Sequence, residues 1–173
     1  MVEDKRGVDF YAKIGVVSDT HSKSLPLQML RDFQEVDFII HAGDFADMSV
    51  WEELSKIHKV EGVCGNMDGA VVCERLPQKQ IIACGPYHIG LTHGGGSPKK
   101  LLEKVKKVFE KDRVDVIVFG HSHHPLNETI DGVLYFNPGS PTDEIFAPFR
   151  SYGILELSET GIQGRIIEVK DEE

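Results

Sequence analysis

Strand-length apolar runs recur along this chain, and nearly every one ends in a residue that can hold a cation or a proton. The run FYAKIGVVS (10–18) leads into SDTH, with Asp19 and His21. VDFII (36–40) leads into HAGD and Asp44, and KVEGVC (59–64) into GNMD, with Asn66 and Asp68. HIGLT (88–92) ends at His93 of HGGG, and VDVIVFG (114–120) at His121 and His123 of GHSHH. Sheets of α/β proteins place their sites at the carboxyl ends of strands. Glycines beside short polar residues let such loops hold a fixed geometry.

Between the runs, helical periodicity fits LPLQMLRDFQ (25–34), SVWEELSKIH (49–58) and, most clearly, SPKKLLEKVKKVFEKD (97–112). In the last, Ser97 can cap, Pro98 suits the first helical position, and Leu101, Leu102, Val105, Val108 and Phe109 form one apolar face. QIIAC (80–84) and HIGLT flank Gly85-Pro86, which reads as a hairpin turn. Asp131-Gly132, between LNETI and VLYF, is a stronger hairpin signal, and SYGILEL and IQGRIIEV pair around SETG. Strand–helix alternation followed by hairpins predicts an α/β fold with two packed sheets and helices outside.

Composition narrows the function. With 28 acidic against 19 basic residues the net charge is -9, so no broad basic face is available for nucleic acid or anionic lipid. No stretch approaches the ~20 apolar residues of a membrane span. Three cysteines, Cys64, Cys73 and Cys84, without a C-x-x-C pair fit reduced thiols in a cytosolic protein better than a disulfide framework. The charged start, MVEDKRGVD, lacks the apolar core of a secretory signal. Residues 1–173 read as one cytoplasmic domain, with 1–10 as a flexible N-terminal extension; a homo-oligomer stays open.

The ordered set D-x-H, G-D, G-N, H-G and G-H-x-H, with NPGS at 137–140, resembles the calcineurin-like metallophosphoesterases, most closely their small bacterial and archaeal phosphodiesterase branch. The resemblance implies a four-layer α/β/β/α sandwich with two mixed β-sheets and two divalent metal ions per chain. One ion would lie on Asp19, His21, Asp44 and His123, the other on Asp44, Asn66, His93 and His121, with Asp44 bridging. It also implies a phosphodiesterase acting on a small phosphate ester, with a metal-bridging hydroxide as nucleophile and Asp44, Asn66 and His93 at the reacting phosphate. Nitrogen and oxygen donors without thiolate suit Mn, Fe, Co, Ni or Zn alike; Mn is the expected ion, with Ni, Fe, Co or Zn as alternatives. Two such ions outweigh two carboxylates and a hydroxide by roughly one positive charge, an attraction for phosphate that the acidic surface lacks.

Position 67 departs from the wider superfamily. Many members carry a histidine there that is thought to protonate the leaving group, whereas Met67 has no proton to give. Asp68 reads equally as an orienter of a ligand histidine or as a loop cap. His124, before Pro125, reads as a turn residue, His41 as a buried or supporting histidine, and His58 and His88 as residues without chemistry. The lysines of 99–111 read most simply as the solvated face of their helix, though Lys99 and Lys100 lie close enough in sequence to His93 to touch substrate. A serine hydrolase, suggested by HGGG and GHSHH, fails because His124 replaces the last glycine of the elbow and no histidine follows it. A phosphomonoesterase remains an alternative. So does a non-catalytic scaffold like the retromer subunit of this fold, although the donors whose loss would mark a scaffold are present.

Overall fold

The computed structural model describes residues 2, 3, 9–21 and 23–170. The expected extension over 1–10 falls largely outside the described residues; within it, Val2–Glu3 (β1) pairs antiparallel with the start of Asp9–Val17 (β2). β2 is followed by helix α1 (Leu27–Phe33), β3 (Phe38–His41), α2 (Ser49–Ser55), β4 (Val60–Gly62) and α3 (Ala70–Arg75). Then come β5 (Lys79–Cys84), β6 (Tyr87–Thr92), α4 (Leu101–Val108), β7 (Val116–Val118), β8 (Leu126–Ile130) and β9 (Val133–Asn137). The antiparallel strands β10 (Ser151–Ser158) and β11 (Gly161–Glu168) complete the order.

Two sheets result. One runs β11-β10-β2-β3-β4 with β1 on β2, the other β5-β6-β7-β9-β8. Side chains alternate across each strand, which lets one strand feed two cores. Ile14, Val16, Ile40, Leu155 and Leu157 of the first sheet meet Ile89, Leu91, Val116, Val118 and Phe136 of the second in a shared interior. Val17, Ile39, Tyr152 and Ile154 point the other way, onto Met29 and Phe33 of α1 and Val50 and Leu54 of α2. Ile117 and Tyr135 do the same on the second sheet, onto Leu101 and Val105 of α4 and onto Phe109 beyond it. α1, α2 and α4 thus each bury an i, i+4 apolar pair, and the layers are α/β/β/α, as the resemblance implied. Burying each large side chain contributes about 1.5–3 kcal/mol.

The hairpins fall where the turn chemistry put them. Cys84 pairs with Tyr87 across Gly85-Pro86, and Ile130 with Val133 across Asp131 (φ 50°) and Gly132 (φ 81°), the left-handed pair of a tight hairpin. Ser97 makes no side-chain cap, and Pro98 opens a 3-10 turn (Pro98–Lys100) ahead of α4. Val108, expected on the buried face, is 37% exposed. The expectation of three reduced thiols is corrected: α3, which has no clear periodicity in the sequence, folds the chain back and joins Cys73 to Cys64 as a disulfide with Cα atoms 5.1 Å apart. Cys84 alone is free. No helix among the described residues is long and apolar enough to cross a membrane.

Candidate metal centre

In the first sheet β2, β3 and β4 run parallel; in the second, β6, β7 and β9 do. The loops leaving five of these six strands carry the predicted donors, and the structure brings all seven together. His123 Nε2 lies 3.3 Å from Asp19 Oδ1, and His21 Nε2 lies 4.0 Å from Asp19 Oδ1 and 3.7 Å from Asp44 Oδ2. Asp44 Oδ2 is 3.2 Å from His93 Nε2. That nitrogen is 2.9 Å from Asn66 Oδ1, itself 3.0 Å from His121 Nδ1. Asp19, His21 and His123 form one group whose donor atoms all lie within 4.8 Å of one another; Asp19, Asp44 and His93 form another.

The backbone reaches this arrangement at a cost. Asp19, His21, Asp44, His121 and His123 all have φ between 48° and 73°, a left-handed region that side-chain-bearing residues seldom occupy. Loop-to-loop bonds hold them there. The Asp19 and His21 amides donate to the carbonyls of Gly43 and Asp44, both at 3.0 Å, and the Gly120 amide donates to His93. Two glycines permit the closeness: a Cβ on Gly65 would stand 2.1 Å from Asp44 Oδ1, and one on Gly120 2.6 Å from Asp19 Oδ2.

Asp19, Asp44, His93 and His121 are each aimed by a partner on the far side. Asp19 Oδ2 accepts from Ser18 Oγ (2.7 Å) and the His121 amide (3.1 Å), and Asp44 Oδ1 accepts from the Met67 amide (2.8 Å). His93 Nδ1 lies 2.7 Å from the Ala42 carbonyl and His121 Nε2 lies 2.8 Å from that of Gly96. Carbonyls only accept, so both rings carry their proton on that outer nitrogen, and in the neutral rings the inner nitrogens present lone pairs to Asn66 Oδ1. Asp19 Oδ1 and His21 Nε2 are buried with no hydrogen-bond partner among the described residues. Orphaned buried donor atoms and converging lone pairs are what a cation would satisfy.

Electrostatics follow the same geometry. Burial would push Asp44 up, but the hydrogen bond and charge of His93, with the Met67 amide, hold its carboxyl below the usual range. Burial would lower His93, and Asp44 and Asp19 raise it instead. His123 is raised to about 9, first by its contact with Asp19 and, against burial, by Asp143. His41 is held well below the usual imidazole range by burial and by His93. Its Nδ1 accepts from the Gly43 amide (3.1 Å), its Nε2 faces Thr20 Oγ1 (3.0 Å) and its ring stacks on Phe45, so it props the Gly43–Asp44 turn.

The structure resolves the two readings of Asp68 in favour of a loop tie. Its carboxylate accepts from the amides of Asp44 (3.0 Å), Gly65 (2.8 Å) and Ala46 (2.8 Å), and so fastens two donor loops together. His124 is exposed and turned onto the Ser122 carbonyl (2.8 Å). His58 and His88 contact Gln34 and Asp115, away from the cluster. Lysine placement differs from the expectation: Lys104, a turn further into α4 than Lys99 and Lys100, lines a cavity of about 380 Å³ with Asn66, His93, Gly94 and Gly95. Met67, next to Asn66 in the chain, is 63% exposed. Sequence reasoning also missed the supports. Asn137 of NPGS donates to the Gly120 carbonyl (3.0 Å), Ser140 donates to the Asp19 carbonyl (2.8 Å), and Asp143 meets His123; the NPGS signature was the only local signal for them.

A profile of the calcineurin-like phosphoesterase superfamily domain matches residues 12–160. The chain belongs to this superfamily. A probable metallophosphoesterase of Methanocaldococcus jannaschii is 35% identical over 164 residues, covering 91% of this chain and 82% of that one. A phosphodiesterase of the same organism is 29% identical over 148 residues, 73% of this chain and 82% of its own. Among solved structures, wild-type Vps29 of Entamoeba histolytica complexed with Zn²⁺ superposes with a TM-score of 0.67 at 19% identity, covering 91% of this chain and 99% of that one. At that identity the likeness concerns the fold. The superfamily accounts for the order of the donor loops.

Proposed function

We propose that this calcineurin-like phosphoesterase is a dinuclear-metal-dependent phosphodiesterase. Asp19, His21, Asp44 and His123 hold one divalent ion, and Asp44, Asn66, His93 and His121 hold the second. The observation that carries the reading is the pair of buried atoms without a hydrogen-bond partner among the described residues, Asp19 Oδ1 and His21 Nε2, facing into a chain of seven donors. When bound, two divalent ions would acidify a water and neutralise charge on a phosphate. The chain's own residues supply the rest. Asp44 spans both donor groups, and Asn66 and His93 line the cavity that receives the phosphate. Lys104 adds positive charge on the same wall. Met67 offers no proton, so the leaving oxygen departs without the acid found at this position in many relatives. Mn is the expected ion, and the donor set also suits the zinc that the Vps29 complex carries.

The test is an assay of purified protein with Mn on an activated aryl phosphodiester, with an alkyl diester, an aryl monoester and an aryl acetate alongside. The expected result is aryl-diester turnover that chelator abolishes, slower alkyl-diester turnover, and no acetate hydrolysis. Faster turnover of the monoester would make the enzyme a phosphomonoesterase. No turnover of any phosphate ester by protein shown to carry metal would leave a scaffold.

A further inference from the structure

Asp143 lies six residues beyond β9, 6% exposed, in the segment PTDEIF. Four donors converge on its carboxylate. Oδ1 accepts from the amides of Ile145 (2.8 Å) and Phe146 (3.1 Å); Oδ2 accepts from the Ala147 amide (3.1 Å) and lies 2.5 Å from His123 Nδ1. Its own amide donates to Ser140 Oγ (3.1 Å), and Ser140 Oγ donates to the Asp19 carbonyl. Here the fourth donor is the ring of a predicted ligand, and the opposite ring nitrogen faces Asp19 Oδ1 at 3.3 Å.

We infer that Asp143 is a positioning residue for the first ion: it keeps the His123 proton on Nδ1 and fixes the ring so that the Nε2 lone pair points at Asp19 and the metal. The inference rests on His123 being a ligand. A carboxylate is required because all four groups aimed at it are donors, three of them main-chain amides that cannot reverse. An amide at this position must turn its NH₂ toward one side. Toward Oδ1 it would oppose two fixed amides. Toward Oδ2 it would oppose one amide and a ring that can shift its proton. The second arrangement moves the His123 proton to Nε2, the nitrogen the ion needs. Partners of this kind typically change metal affinity 10–100-fold.

The experiment measures metal binding by calorimetric titration of Zn²⁺ into chelator-stripped protein, for the parent, Asp143→Asn, Asp143→Ala and His123→Ala. Two-bond ¹H–¹⁵N spectra of the Zn²⁺-loaded proteins report which nitrogen of His123 carries the proton. Circular dichroism confirms that each variant is folded. The expected result is a loss of about 10–100-fold at one of two sites in both Asp143 variants. The Nδ1–H signal of His123 should be present in the parent and lost in Asp143→Asn. Asparagine can still fasten residues 145 and 146 through its carbonyl, so an anchoring role alone predicts that Asn restores parent affinity where Ala does not. That rescue, or a parent-like Nδ1–H in Asp143→Asn at unchanged affinity, overturns the inference. If instead His123→Ala keeps both sites at parent affinity, the ligand assignment beneath it is what fails.

Discussion

Asp19 and Asp44 are almost wholly buried, whereas Asn66 is exposed and His121 is partly so, yet both sets of donors belong to one continuous chain of contacts. On the buried side the donors include two carboxylates, and the His123 ring is backed by a third, Asp143. On the open side Asp44 is the sole carboxylate. Asn66 is neutral, and His93 and His121 are backed by the carbonyls of Ala42 and Gly96. Two carboxylates facing a divalent ion attract it more strongly than one that is shared, and burial strengthens the difference. On the proposed ligand sets, the side with two carboxylates would retain its ion and the side with Asn66 would admit one together with substrate.

The comparison can be broken most directly by substitution. Asp19→Ala should abolish turnover of the aryl diester, a loss of at least about a hundredfold, and leave fewer than one ion per chain. Asn66→Ala should reduce turnover by a smaller factor and leave about one tightly held ion. Elemental analysis beside the kinetics checks both, and chelator titration of the parent should remove the ions in two steps. A single step, or equal metal loss in the two variants, would make the halves equivalent.

A smaller effect sharpens the same contrast through pH. In chelator-treated protein, His123 is raised from 6.5 to about 9, chiefly by Asp19 with Asp143 assisting. A raised imidazole stabilises the fold below about pH 6.5, and that contribution is lost as pH rises through about 9. Stability of the metal-free protein should thus fall over this interval, by an amount on the order of 2 kcal/mol, in urea unfolding at stepped pH. Loading with Mn should flatten the trend, since the ion takes the place of the proton. Asp143, held down to about 2, acts at the other extreme: its contribution is present above its ordinary 3.8 and is lost as pH falls through 2. The smallest effect belongs to His124→Ala. It should keep two ions and change turnover by less than about twofold, because its ring lies on the Ser122 carbonyl outside both halves.

The donors were legible because each stands directly after an apolar run, where local pattern suffices. The hairpins were legible for a similar reason: Asp131-Gly132 states its own backbone conformation. What escaped is non-local. Asp143 reaches His123 across 20 residues, and Asp68 ties loops 22 and 24 residues away. Only NPGS, three residues before it, stands near Asp143, and GNMD offered Asp68 as a loop cap without showing which loops it ties. Lys104 was passed over for Lys99 and Lys100 because closeness in sequence to His93 is not closeness across a helical turn. The Cys64–Cys73 pairing depended on a six-residue helix with one buried side chain, Val72, too short to show a period.

The His121 amide donates to Asp19 Oδ2 across 102 residues, and no donor group can form until both sheets stand side by side. In folding terms the centre has a very high contact order. On the proposed two-ion reading, ion capture would come after the main barrier rather than help to cross it. Bound ions would then act as a latch that closes last, slowing the opening of an assembled sandwich and leaving the rate of its assembly unchanged.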